Sequence, residues 1–180
     1  MKNNSFLIAR AAIIAALYVS LTYLSNAVGL ASGLIQIRFS EALVVTCVFT
    51  PAGIYGVTIG CLLANILTGC LPLDIAFGTL ATLIGAIGTR FLGRRFKYLA
   101  PLPTILANTL IIPFLLYYAY GFKPLWLGFL TVFAGEAVSC YLLGIPLYSF
   151  MERNQHILHL DKSGKSNGAD KPGKSNKPVH

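Results

Sequence analysis

The fold class predicted by this sequence is an all-α integral membrane protein, with six membrane-spanning helices, both termini cytoplasmic, closed into a compact bundle. Three observations predict it. Of 180 residues, 56% are hydrophobic and only 11% are charged, whereas a soluble domain carries about 25% charged residues. The apolar residues fall in runs suited to about 30 Å of hydrocarbon. The basic residues fall where cytoplasmic loops would collect them. Residues 1–151 read as the membrane domain and 152–180 as a basic cytoplasmic tail, without apolar pattern and expected to be disordered. The first apolar run is too long for a signal peptide and lacks a cleavage site followed by polar sequence.

The first span is expected over 6–26. It holds Ala11, Ala12, Ala15 and Ala16, two small-xxx-small pairs on adjacent faces that let another helix approach closely in lipid. That helix belongs either to this bundle or to a partner. A Gly- and Ser-rich loop follows over 27–39. The next apolar stretch, 40–67, would be about 42 Å long as one helix, too long for an untilted crossing. Thr50-Pro51 divides it: Thr is a good N-cap and Pro is favoured at the first helical position. The spans are therefore a short second helix over 40–49 and a third over 51–67. The fourth is expected over 73–92, followed by a basic loop at 93–97. The fifth covers 101–120 with Pro113 inside as a kink. The sixth covers 125–150, kinked near Gly144 and Pro146.

Charge decides the count. With six spans and the N-terminus inside, every Lys and Arg except Arg38 and Lys123 is cytoplasmic. With 40–67 as one span, the basic 94–97 loop and Arg153 would move outside. The net charge of +8 is thus read as a topology signal, with no nucleic-acid partner.

Five polar residues stand in or beside the spans: Arg38, Glu41, Asn65, Asp74 and Glu136. On an insertion scale, a charge at the bilayer centre costs about 2.5–3.5 kcal/mol, so such residues usually line a polar path. The topology sets Arg38, Glu41, Asn65 and Asp74 at one outer level, with Glu136 deeper, describing a pocket open to the outside. Plainer accounts stand beside this one. Glu41 and Asp74 lie in first helical turns, where the helix dipole favours acids. Arg38 and Glu41 would make an ion pair. Asn65 would bond a neighbouring helix, and Asn108 reads first as packing.

The remaining motifs exclude other functions. Cys47, Cys61, Cys70 and Cys140 form no CxxC pair and read as small apolar residues. All three histidines lie in the tail, so no metal ligand set, cofactor site or nucleophile–base pair is expected, and no enzyme. Residues 168–175, GADKPGKS, match the phosphate-loop pattern. That pattern works only between a strand and a helix, and here its flanks are polar tail. An autonomous proton-coupled transporter is the alternative, though no internal repeat joins the halves, as secondary carriers often show.

Several stretches carry a family resemblance: IRFSEAL at 37–43, TPAGIYG at 50–56, GCLLANILTG at 60–69, LPLDIAFGTLATLIGA at 71–86 and ARAAIIAALYVSLTY at 9–23. Over about 9–150 the chain resembles the substrate-binding S components of energy-coupling-factor (ECF) transporters, and among these the QueT group. The resemblance implies uptake of a queuosine precursor, a 7-deazaguanine compound, across a bacterial plasma membrane. It implies partners as well: a shared transmembrane coupling subunit and a pair of ATPases. The family's AxxxA docking motif falls on Ala11/Ala15 or Ala12/Ala16. A guanine-like ring offers paired N–H donors that a carboxylate accepts together. Glu41, Asp74 and Glu136 are the candidates, with Asn65 for the carbonyl edge and Phe39 or Tyr55 for stacking.

Overall fold

The computed structural model describes residues 2–30 and 36–154. Part of the 27–39 loop, nearly all of the tail and the 168–175 motif lie outside the described residues. Within them the chain is helical with no strand. The helices are α1 Lys2–Ala27, α2 Thr46–Phe49, α3 Pro51–Leu67, α4 Pro72–Arg95, α5 Leu102–Tyr120, α6 Leu125–Ala137 and α7 Gly144–Arg153. A 3₁₀ segment, Phe39–Val45, leads into α2, and a π-helical segment, Val138–Leu143, joins α6 to α7. Four stretches are long and apolar enough to cross a membrane: Asn4–Ala27, Pro72–Arg95, Lys97–Tyr120 and Leu125–Arg153. Phe39–Phe49 and Pro51–Leu67 are shorter apolar helices.

The break at Thr50-Pro51 forms as its chemistry dictates. Thr50 is extended, its hydroxyl accepts the Ala52 N–H at 3.2 Å, and Pro51 opens α3. Upstream, the expected 40–49 helix is not a regular α-helix. It is seven residues of 3₁₀ and then one α turn, and every residue from Ser40 to Thr50 is buried. Ser40, Glu41, Thr46 and Thr50 stand among its apolar side chains and would be costly against lipid, and the stretch sits in the middle of the bundle. Val45, Cys47 and Phe49 form the core with Tyr18, Val57 and Tyr148. Runs of 3₁₀ longer than three or four residues are uncommon, and this one carries Glu41.

Small residues set the tightest helix contact. On α3, Gly56 and Gly60 face α1, and a Cβ on either would lie 2.6 Å from the Ile14 or Tyr18 Cβ. Ala11 and Ala15 are buried in that contact, whereas Ala12 and Ala16 on the next face are exposed. The two pairs that spacing left equivalent are therefore separated by packing.

Two other boundaries differ from expectation. The basic loop at 93–97 is mostly helix, because α4 continues through Arg94 and Arg95, cations that suit a helix C-terminus. In the last span the irregularity begins at Val138, two residues after Glu136 and well before Gly144 and Pro146. This end of α4 is tied down by Tyr148, whose hydroxyl donates to the Gly93 carbonyl at 3.1 Å. Lys97 and Glu152 pair beside it at 2.9 Å. Asp74 lies in the first turn of the same helix, so polar and basic residues occupy opposite ends of the bundle.

Candidate functional site

At the end away from the basic cluster, helices α1, α3, α4 and α5 surround a cavity of about 680 Å³. Arg38, Asn65 and Asp74 line it, with Thr22, Gln36 and Tyr120. A narrow annex of about 30 Å³ adjoins it, lined by Glu41, Glu136, Asn108 and Thr82. Gln36, Arg38, Gly78 and Ile112 line both spaces. The five polar residues singled out in the sequence, drawn from 99 positions of chain, thus border one branched cavity.

The way each is held follows from its element. Asp74, at the start of α4, accepts a hydrogen bond from the Tyr120 hydroxyl at the end of α5. Asn65, near the end of α3, donates to the Asp74 backbone carbonyl at 3.4 Å. It makes the neighbour-helix bond that its plainer account foresaw, while still lining the cavity. Arg38 precedes the 3₁₀ segment, and its backbone N–H donates to the Ser139 hydroxyl of the π segment at 3.1 Å. Gly135 makes this crossing possible, since a Cβ there would lie 2.2 Å from the Gln36 carbonyl oxygen. A π-helical turn inside an α-helix frequently marks a functional site. Here it brings Ser139 and Cys140 against the 3₁₀ segment, with the Cys140 thiol 3.8 Å from the Glu41 carbonyl.

Glu41 is not where the topology argument set it. It lies in the annex with Glu136 rather than at the cavity rim, and is only 2% exposed. Its Oε1 accepts the Tyr18 hydroxyl. Among the described residues its Oε2 has no hydrogen-bond partner. The anticipated Arg38–Glu41 ion pair does not form among the described residues: Tyr18 of α1 binds one carboxylate oxygen, and Arg38 lines the annex and the wide cavity without closing on the other. Glu136 is half-buried, with the Cys140 thiol 3.7 Å from its Oε2.

The stacking candidates change as well. Tyr55 is exposed on a different groove, beside Ala12 and Ala16, and Phe39 lines neither space. The aromatic residues on the wide cavity are Tyr120 and Phe122. Their sequence signal was position: the turn after the fifth span falls at the level of Asp74. Tyr18, Gln36 and Thr22 had no such signal. Asn108, first read as packing, lines the annex beside Glu136. Among the described residues, no group of three or more His, Cys, Asp or Glu is placed to hold a metal ion.

The Ala12 and Ala16 face borders a second groove, of about 550 Å³ and almost wholly apolar, between α1 and α3. Ala11, Ala15, Ile8 and Leu63 also line it.

Comparison with known proteins gives two matches. A protein of Lactococcus lactis subsp. cremoris (strain MG1363), named Queuosine precursor transporter QueT, is 40% identical over 83 residues, covering 46% of this chain and 48% of the relative. The match thus spans about half the length of that relative. No solved structure matches the chain. The profile of the QueT transporter family matches residues 8–153, from the first turns of α1 to the end of α7. That match takes in every helix that builds the branched cavity, and by it the chain belongs to the QueT transporter family.

Proposed function

We propose that this chain is the substrate-capturing subunit of an ATP-driven importer of the ECF type, and that its substrate is a queuosine precursor, a 7-deazaguanine derivative. The observation that carries this reading is a polar cavity of about 680 Å³ in an otherwise apolar bundle. Small-molecule sites usually span about 300–1,000 Å³ and hold a few well-placed polar groups. Family membership and the relative named for queuosine precursor transport support the substrate class.

The chemistry divides among the five polar residues. Asp74 at the rim accepts paired donors from the guanine-like edge. Arg38 and Asn65 offer donors to its carbonyl and ring nitrogen. Tyr120 and Phe122 supply faces for stacking. Glu41 and Glu136 take the deeper end of the ligand.

The protein is read as a multi-pass protein of the bacterial cell membrane, with six membrane-embedded helical segments over 1–151. The cavity opens outward, and the basic end, both termini and the 152–180 tail are cytoplasmic. The Ala12 and Ala16 face of α1 docks on the transmembrane coupling subunit, and ATP is bound by partner ATPases.

Calorimetry on the purified chain alone tests the reading, with queuosine precursors, guanine and riboflavin as ligands. Selective binding of a 7-deazaguanine is expected. No binding by folded protein, or equal binding of riboflavin, would overturn it.

A further inference from the structure

We infer that Arg90 is a positioning residue for ligand capture: it anchors the inner end of the buried 39–49 segment and so sets where Arg38 and Glu41 stand at the other end. This rests on the reading of the branched cavity as the ligand site. Arg90 is not among the residues that line either space of that cavity, so it acts through the segment and not on the ligand.

The anchor follows from Pro51. In a continuing α-helix the N–H of residue 51 would donate to the carbonyl of residue 47. Proline has no N–H, so the break at Thr50-Pro51 takes the helical donor away from the Cys47 carbonyl. Cys47 is buried, and a buried carbonyl left without a donor is costly. Arg90 on α4 supplies one: its guanidinium Nη1 donates to the Cys47 carbonyl oxygen at 2.8 Å. A hydrogen bond from a charged donor is among the stronger kinds.

The surroundings hold that end closely. Gly93, three residues beyond Arg90 and so on a neighbouring part of the same helix face, lets α4 close on α2. A Cβ there would lie 2.5 Å from the Val48 Cγ2. The Phe49 ring packs 4.9 Å from that of Tyr148, whose hydroxyl donates to the Gly93 carbonyl.

The outer end is held by different partners. The Arg38 and Phe39 N–H groups donate to the Ser139 and Ser25 hydroxyls at 3.1 and 2.9 Å, and Tyr18 donates to Glu41. Between the two ends every residue from Ser40 to Thr50 is buried, so the segment has no room to relax sideways. A shift at Cys47 therefore passes along it to Glu41, about 11 Å away at the rise of these helices. The seven-residue 3₁₀ run has poorer internal hydrogen bonds than an α-helix, so it depends on its end contacts for register. A binding group must be held within roughly 0.5 Å of its working position.

The experiment uses the full-length protein, 7-deazaguanine ligands, calorimetry and amide hydrogen exchange. Arg90→Met keeps an apolar stem and removes the donor; it should weaken ligand binding roughly tenfold. In the ligand-free variant, exchange over 39–45 should quicken while exchange in α5 stays as in the parent protein. Arg90→Lys restores a charged donor and should bind within about threefold of the parent. Arg90→Gln, shorter and uncharged, takes the place of Arg90→Met if that variant does not fold. Unchanged affinity in the variant used, even with a lower unfolding temperature, shows Arg90 to be structural only and overturns the inference. Exchange quickened as much in α5 as over 39–45 does the same, as does Arg90→Lys binding no better than the donor-free variant. If the parent protein binds no 7-deazaguanine, the reading of the cavity falls, and the positioning role with it.

Discussion

At the scale of single residues, the site depends on groups that reach it from distant parts of the chain. Tyr18 is 2% exposed, and its hydroxyl donates to Glu41 across 23 positions of sequence. Tyr18→Phe removes the one donor on that carboxylate among the described residues and keeps the ring packing. We expect a loss of about 1–3 kcal/mol in stability, read as a lower unfolding temperature of the detergent-solubilised protein; an unchanged temperature would show that the bond contributes little. Asp74→Asn, which removes the charge at the rim and leaves one neutral acceptor, should weaken ring binding by roughly tenfold or more without that thermal penalty. Calorimetry and thermal unfolding on the same sample check both halves. The acids themselves were legible in the sequence, because charge inside an apolar run has few explanations. Their partners were not. Tyr18 in an apolar helix reads as core, and Gln36 in a Gly- and Ser-rich loop has no periodicity to place it. The Arg38–Glu41 pair, close in sequence, was the obvious bond and is absent among the described residues, where the donor on Glu41 comes from Tyr18 instead.

Among the elements, α1 is used on two faces. Ala11 and Ala15 pack against Gly56 and Gly60 of α3, and Ala12 and Ala16 are open. Leucine at position 15 must displace a backbone that already approaches closely, and overpacking typically costs about 1–3 kcal/mol. Ala15→Leu should therefore lower the unfolding temperature. Ala12→Leu should leave stability and ligand affinity unchanged but block co-purification with the coupling subunit. If both variants fold normally and still assemble, α1 is not the docking helix. The start of α3 was readable from Thr50-Pro51, since capping chemistry is local. The 3₁₀ segment and the π-helical turn were not, because both are set by the crossing of Gln36 and Arg38 over Gly135, a contact between remote segments. Sequence periodicity is blind to such crossings.

For the whole molecule, the arrangement is one of opposite ends. Asp74 opens α4 and Arg94 and Arg95 close it, and Lys97 and Glu152 pair at the basic end. The charge pattern alone predicted this polarity, since the cost of moving cations across a bilayer shapes the sequence directly. Single cysteines replacing Arg94 and Lys123, both exposed, should react with a membrane-impermeant maleimide from opposite sides in oriented cells. Labelling of both from one side would contradict the six-span arrangement.

Cys70 is the residue best placed to report whether the ligand sits in the branched cavity. It lines the wide cavity and is partly exposed, whereas Cys47, Cys61 and Cys140 are buried. The measurement is the rate of Cys70 alkylation in the purified protein, with and without a saturating 7-deazaguanine. Bound ligand is expected to slow the reaction at least about tenfold, because it fills the space beside the thiol. An unchanged rate at full occupancy would mean that the ligand binds elsewhere.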